Sequence, residues 1–301
     1  PSISSGFELP LSEDSGDRAD RSLEEAAPYP IRNTAPGLPI GSGRLPEEFK
    51  GGFKPVRRIA IINQKGGTGK TTTAVNLSAG LAMKGQRVLL IDLDPQGSLG
   101  VWFDVTHAPN LYHLLVEEAL AASCTVGLRE NLDLLPATRT AAQAELILSG
   151  RPARERILKR RLADLEGYDY VLLDCAPSLN LLNQNALTFS EEAFVPVSME
   201  YLSLVGVRQI LENLSLVREV LEHPIRLTLV IPTFYDARNR KSREVLESLK
   251  NRFKEEVADP IRSNVRLSEA AGYHQDIFAF DPKSHGAQDY SRLVERVISM
   301  R

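Results

Sequence analysis

From Arg57 onward the chain alternates between short apolar runs and longer stretches with helical spacing. Strand candidates are Ile59–Ile62, Val88–Ile91, Leu132–Leu135, Tyr170–Leu173, Ala193–Val197 and Leu227–Ile231, with a shorter one at Pro260–Arg262. Helical patterns lie between them at Lys70–Lys84, Leu111–Ala121, Arg154–Leu165, Leu204–Leu221, Ser242–Phe253 and Gln288–Met300. Several strand candidates are continuous apolar runs, which a sheet covered on both faces requires. The alternation predicts an α/β fold: a doubly wound, mostly parallel β-sheet with helices on both faces. Residues 1–55 have no sustained period and carry prolines at 28, 30, 36, 39, 46 and 55. Such a segment cannot bury enough apolar surface to offset its ordering entropy. The reading is a disordered acidic, proline-rich tail over 1–55 and one domain over 56–301. The tail is either a spacer or a carrier of a docking motif, around Phe7–Leu11 or Tyr29–Ile31.

Composition narrows the class without naming a function. Hydrophobic content of 43% and charged content of 25% are ordinary globular values. The net charge of −3 excludes a uniformly cationic nucleic-acid coat. Nine acids against six bases in residues 1–55 account for it, so any basic face further on is local. Cys124 and Cys175 sit in apolar surroundings without paired metal-ligand spacing. A reducing, cytoplasmic compartment fits, and no secretory signal or 18-residue apolar run points to a membrane.

The chemistry concentrates in Ile59–Thr73, IAIINQKGGTGKTTT. A strand, a glycine-rich turn and a helix follow one another in the order a phosphate cradle needs. Gly66, Gly67 and Gly69 let the backbone turn tightly and aim its N–H groups at one point. The helix adds the positive end of its dipole. Lys70 supplies charge for the β and γ phosphates, and Thr71 a hydroxyl for Mg²⁺. The plain GxxxxGK[ST] pattern would place a glycine at Gln64. Instead Lys65 stands at the front of the loop.

Two more segments end in carboxylates. VLLIDLDPQG places Asp92 and Asp94 at the carboxyl edge of a strand, where open α/β sheets bind ligands. YDYVLLDCAP ends a buried run at Asp174, placed to hold an Mg²⁺-bound water. Phosphoryl transfer also needs a group that orients water; Asp94 and Gln96 are the candidates.

The loop KGGTGKTT resembles the deviant Walker A loop of the ParA/MinD family of ATPases, most like its ParA/Soj chromosome or plasmid partitioning type. The resemblance runs from about Arg57 to the C-terminus. It implies that Lys65 reaches across a nucleotide-sandwich homodimer to the partner's phosphates. Lys70 and Asp94 complete the catalytic set, with Asp94 polarising the attacking water. Gly66, Gly67, Thr68, Gly69, Lys70, Thr71 and Thr72 bind nucleotide, and Thr71, Asp92 and Asp174 serve the metal. Asp174-Cys175-Ala176-Pro177 resembles the second switch. Pro232, Thr233 and Phe234 resemble the segment that lies against the adenine. VPVSMEYLSLVGV resembles the strand and long helix at the dimer interface. The iron–sulfur relatives of this fold need paired cysteines on loops at the dimer axis, a geometry that Cys124 and Cys175 do not match.

In ParA relatives the arginines of DAR and NVRLSE bind DNA phosphates without reading sequence. Arg238 and Arg266 occupy those positions here, with Arg240, Lys241 and Arg262 nearby in a stretch, 236–266, of nine bases and six acids. Where the family often has proline after SEA, this chain has Ala271. RPARERILKRR carries six bases against Glu155, as a solvated helix or as a contact for DNA or a partner. The C-terminal helix lacks the basic, bulky-apolar pattern of MinD-type membrane helices, so no membrane is expected and the helix is expected on the core. The implied function is a slow Mg²⁺-dependent ATPase that binds DNA nonspecifically as an ATP dimer. A ParB-like or cargo adaptor would reset it, and it would be nucleoid-associated when ATP-bound. The alternative is a ParA-like ATPase positioning a protein cargo, such as a chemosensory or polar complex.

Overall fold

A computed structural model describes residues 55–201 and 203–300. The tail expectation, apart from Pro55, lies outside the described residues. In chain order the elements are β1 (Arg57–Ile61), α1 (Lys70–Met83), β2 (Val88–Asp92), α2 (Ser98–Trp102), α3 (Leu111–Val116), β3 (Val126–Arg129), β4 (Leu132–Leu135) and α4 (Thr140–Leu148). Then come α5 (Ile157–Arg161), β5 (Tyr170–Asp174), α6 (Leu181–Phe189), β6 (Glu192–Ser198), α7 (Ser203–Val220), β7 (Arg226–Thr233), α8 (Arg240–Phe253), α9 (Val265–Gly272), α10 (Ile277–Phe280) and α11 (His285–Ser299).

The seven strands form one sheet in the order β3-β4-β2-β5-β1-β6-β7. All pairings are parallel except β3 with β4. Strand periodicity divides the core in two. Ala60, Leu89, Ile91, Val171 and Leu173 face the layer that holds α3 to α8. Ile59, Ile61, Leu90, Tyr170 and Leu172 face the layer of α1, α2, α10 and α11. Every residue of β2 and β5 is buried, which explains their unbroken apolar runs. Each fully buried large side chain contributes about 1.5–3 kcal/mol relative to exposure.

Helix α1 runs close beneath α11. A Cβ on Gly80 would come within 2.5 Å of Val294 Cγ2. The C-terminal helix packs on the core through Tyr290, Leu293, Val294 and Val297, as its sequence suggested. The Thr73 and Tyr290 hydroxyls lie 3.2 Å apart and tie the two helices together. Among the described residues no helix is long and apolar enough to cross a membrane.

Three local expectations need correction. Pro260–Arg262 is not a strand; one isolated bridge joins Tyr235 to Arg262. Proline has no N–H to donate, which fits the lack of a longer ladder. Arg154–Leu165 is not one helix. A 3₁₀ turn, Arg154–Arg156, precedes a five-residue α5. Asn185 explains the break, since its side chain accepts from Leu158 N at 2.9 Å and donates to Arg154 O at 2.9 Å. The pattern at Leu111–Ala121 gives α3 only to Val116, followed by a 3₁₀ turn at Ala121–Cys124.

Candidate functional site: a phosphate cradle at the carboxyl edge of the sheet

The site assembles where β1, β2 and β5 end. Parallel register sets Asp92 of β2 opposite Asp174 of β5, and Ile61 of β1 opposite the same Asp174. The loop after β1 then turns back into α1. Gly67 and Gly69 take φ values of 70° and 83°, which side-chain-bearing residues rarely adopt. Gly69 is the N-cap of α1 and has no capping side chain, so the first N–H groups of the helix remain available to an anion. A Cβ on Gly66 or Gly67 would meet nothing within 4 Å, so the mouth of the loop is open.

Lys70 is buried at 7% exposure and donates to the Lys65 carbonyl at 3.3 Å. Burial lowers its pKa, while Asp174 and Asp94 pull the other way. Asp174 is 1% exposed, and neither carboxylate oxygen accepts a hydrogen bond at bonding distance. Burial pushes its pKa up to about 7, against nearby Thr71 and Lys70, which favour the charged form. An orphaned buried carboxylate is costly unless a cation or bound water is part of its working state.

Asp92 differs from Asp174 although the two are neighbours. Its Oδ1 accepts from Asp94 N and its Oδ2 from Leu99 N, both at 3.0 Å. Burial and the Asp174 charge still raise its pKa well above the usual carboxylate range. Asp92 therefore shapes the loop that carries Asp94 and Gln96, and Asp94 accepts from Gln96 N at 2.9 Å. Gly97 closes that loop at φ 66°; a Cβ there would sit 2.9 Å from Ala137 O. Asp94 is half-buried beside Lys70, and Gln96 is exposed.

The segment after β7 closes one side. Thr233 Oγ1 donates to Thr68 O at 2.9 Å. A Cβ on Gly69 would meet Thr233 Cγ2 at 3.6 Å and Phe234 Cε2 at 3.8 Å. Thr233 and Phe234 thus border the loop, with Phe234 half exposed, while Pro232 stays in β7 opposite Val197.

Lys65 is held by Glu200 in an ion pair, and its Nζ donates to Ser203 Oγ at 3.3 Å. It lines an open groove of about 360 Å³ with Gln64, Pro177, Leu179, Gly206 and Gln209. Sequence reasoning missed Asn63, Glu200 and Asn183. Buried Asn63 donates to Pro196 O at 2.7 Å and accepts from Lys65 N at 3.0 Å. Asn183 accepts from Ala176 N at 3.1 Å and donates to Ala176 O at 2.8 Å, fixing the loop after Asp174. Asn63, the polar end of an apolar strand, was the available signal for the first.

The proposed DNA arginines begin four residues past Phe234, at Arg238. The Tyr235–Arg262 bridge joins the loop of Arg238, Arg240 and Lys241 to the segment leading to Arg266. Each arginine has an acidic neighbour: Arg238 with Asp236 at 2.9 Å, Arg240 with Glu244 at 2.7 Å, and Arg266 with Glu269 at 2.9 Å. Arg262 pairs with fully buried Asp289 at 2.6 Å, so it is built into the fold. Both cysteines are buried, and burial raises both thiol pKa values.

Comparison with known proteins agrees with this geometry. A family profile described as an AAA domain matches residues 56–227. The chain is 43% identical over 248 residues to the sporulation initiation inhibitor protein Soj of Bacillus subtilis, covering 79% of this chain and 97% of that one. It is 44% identical over 245 residues to the chromosome-partitioning ATPase Soj of Thermus thermophilus, covering 81% and 96%. A solved structure of cobyrinic acid a,c-diamide synthase from Mycobacterium smegmatis, with bound ATP analog and magnesium, superposes with a TM-score of 0.69. It is 36% identical, and the match covers 81% of this chain and 95% of that one. With the cradle, its two edge carboxylates and this similarity over most of its length, the chain belongs to the ParA/MinD family of ATPases, in its Soj/ParA group.

Proposed function

We propose that residues 56–301 form an ATP hydrolase that dimerises around ATP, holds DNA nonspecifically as a dimer, and is reset by an adaptor that stimulates hydrolysis. The buried, unpartnered carboxylate of Asp174 beside Lys70 carries the reading, because that arrangement suits a nucleotide-bound cation better than an empty fold. Residues 66–72 wrap the phosphates with backbone N–H groups, and Lys70 neutralises the β and γ oxygens. Thr71 and Asp174 would hold Mg²⁺, with Asp92 supporting that shell through the loop it organises. When bound, the metal would neutralise charge on the phosphate oxygens. Asp94, at the edge of the cradle, orients the attacking water; Gln96 on the same loop is the rival for that task. Pro232, Thr233 and Phe234 border the base.

The groove beside Lys65 supports a second copy as the occupant. Leu179 is an exposed apolar side chain in its lining, and exposed Tyr201 follows the Glu200 that holds Lys65. Lys65 must leave Glu200 to reach a partner's phosphates. The dimer doubles the number of arginines facing DNA, and the second half then binds at high effective concentration. Arg238, Arg240, Lys241 and Arg266 supply that contact, and Arg262 holds their segment in place. The family's relatives named for chromosome partitioning favour DNA segregation as the setting, with nucleoid association in the ATP state.

Asp94→Ala tests the mechanism. It is expected to keep ATP binding, lose turnover and accumulate as a dimer in size-exclusion chromatography. Wild-type turnover in this variant removes Asp94 from the role.

A further inference from the structure

The stretch RPARERILKRR is not absorbed by the cradle or by the arginines near α8 and α9. Ile157 and Leu158 point into the core, which leaves the cations outside. Arg161 pairs with Glu118, and Arg156 donates to Leu221 O at 2.7 Å with Glu155 3.8 Å away. Arg154 donates to the Ser149 carbonyl. Among the described residues Arg151, Lys159 and Arg160 have no ion-pair partner within bonding distance, and Arg151 and Arg160 lie near enough to each other that both bear on the Glu118 carboxylate, which Arg161 already pairs. Arg238, Arg240 and Arg266 each have an ion-pair partner. A polyanion arriving at Arg151, Lys159 and Arg160 displaces counterions, whereas at Arg238, Arg240 and Arg266 it must first break ion pairs.

The chain enters the fold close by. Helix α6 packs on both α5 and β1. Val56 packs against the same core layer as Ile157 and Leu158. Lys159 and Arg58 both bear on His223, so α5 and the start of β1 are electrostatic neighbours. The sequence ahead of β1 holds seven acids and two bases between Glu8 and Glu25. About thirty residues separate Glu25 from β1, a contour of roughly 100 Å, so reach is not limiting.

We propose that the acidic stretch Glu8–Glu25 docks in cis on the cationic surface of Arg151, Lys159 and Arg160. Charge complementarity selects this surface over the paired arginines, and the covalent link gives the stretch an effective concentration in about the millimolar range. The contact is electrostatic and solvent-facing, so it weakens with salt. It does not depend on the nucleotide reading: a chain that fails to bind ATP still makes it.

Zero-length carbodiimide cross-linking of the full chain tests this, because Lys159 is the one amine of the surface. At low salt, Lys159 is expected to couple to carboxylates of Glu8–Glu25 within one chain, as a mixture of isotopically light and heavy protein reports. The yield is expected to fall about fivefold between roughly 0.05 M and 0.5 M salt, as the Debye length contracts to about 4 Å. Arg151→Gln with Arg160→Gln, or Glu13→Gln with Asp14→Asn and Asp17→Asn, lowers the low-salt yield similarly. Arg151→Lys with Arg160→Lys retains it. Absence of the Lys159 product, coupling only between chains, or indifference to the neutralising variants overturns the proposal. So does one result with a nonspecific DNA duplex: lost retention on neutralising the surface, with no change on neutralising the acidic stretch. That outcome makes the surface a nucleic-acid site; the expected result is tighter retention once the acids are gone.

Discussion

The cradle and the arginine rim near α8 and α9 both use charge, in opposite physical states. In the cradle, Lys70, Asp92 and Asp174 are buried, and burial displaces the pKa of each. On the rim, Arg238 and Arg240 are about as exposed as side chains become, and each is matched by a neighbouring acid. Buried charge is expensive to assemble, so its presence points to a ligand that makes use of it. Exposed, paired charge costs little and contributes little to folding. Its purpose shows only in what it contacts. The two regions should therefore respond differently to substitution, the first through chemistry and the second through salt-dependent association.

The largest expected effect is in the cradle. Lys70→Ala removes the buried cation beside the open glycine turn. Catalytic efficiency in ATP hydrolysis is expected to fall by about 100-fold or more, about 2.7 kcal/mol of transition-state stabilisation. Steady-state phosphate release checks it. The same variant leaves Asp174 without its nearest cation, so a titrating nucleotide-binding assay should show weakened binding as well. A loss of less than about threefold would mean that the buried charges are structural and that the contrast with the rim is misdrawn.

This contrast also explains what could be read from the chain alone. Lys70, Thr71 and Asp174 were legible because phosphate chemistry demands a lysine and a hydroxyl where a glycine turn opens a helix and a carboxylate where a buried strand ends, and spacing reports it. The parallel sheet was legible from unbroken apolar runs such as Val88–Ile91. Strand β3 was not, because four residues, VGLR, joined to β4 through Asn131 at φ 62°, carry too short an alternation. Helix α6 was hidden for a different reason. Asn183 and Asn185 interrupt its apolar pattern, yet both are buried and spend their amides on the loops at Ala176 and Arg154. Pairing partners on the rim were equally invisible. Nothing in the spacing of Arg262 and Asp289 announces that they meet.

Arg262 offers the next test, since it breaks the division from within. It lies on the rim in sequence, yet it clamps the fully buried Asp289 through Nη2 at 2.6 Å, and its backbone N–H adds a bond at 2.8 Å. Arg262→Ala is expected to cost about 1–2 kcal/mol. That is below the roughly 3–5 kcal/mol for breaking a wholly buried pair, because the guanidinium is about one-third exposed and Arg292 still reaches Asp289. Arg266→Glu gives up only exposed pairs, with Glu269 and Asp281, so it should cost less stability than Arg262→Ala while abolishing retention on nonspecific DNA in the ATP state. Chemical denaturation and DNA binding measured on the same two variants separate them. Equal stability losses would place Arg266 in the fold and remove it from the DNA surface.

The smallest effect is a titration that lies outside both regions and calibrates what burial alone does to a charge. His223 is 8% exposed, and its Nε2 lies 2.6 Å from the Ser190 carbonyl, which requires a proton on Nε2 to donate. Burial lowers its pKa; the Ser190 carbonyl and Glu191 oppose that, and the charges of Lys159 and Arg58 add to it. The unfolded chain therefore takes up its proton first, near an ordinary pKa of about 6.5. Between that value and the lower folded one the unfolded state binds more protons, so stability rises with pH there. The contribution is complete above about pH 6.5, declines as pH falls below it, and levels off beneath the folded pKa. His223→Gln keeps a donor for the Ser190 carbonyl but cannot titrate. Denaturation midpoints followed from neutral to mildly acidic pH should fall less steeply in the variant. Parallel curves for both proteins would show that the imidazole is charged as readily in the fold as out of it, and that burial at this depth, without a cavity demanding charge, leaves little mark.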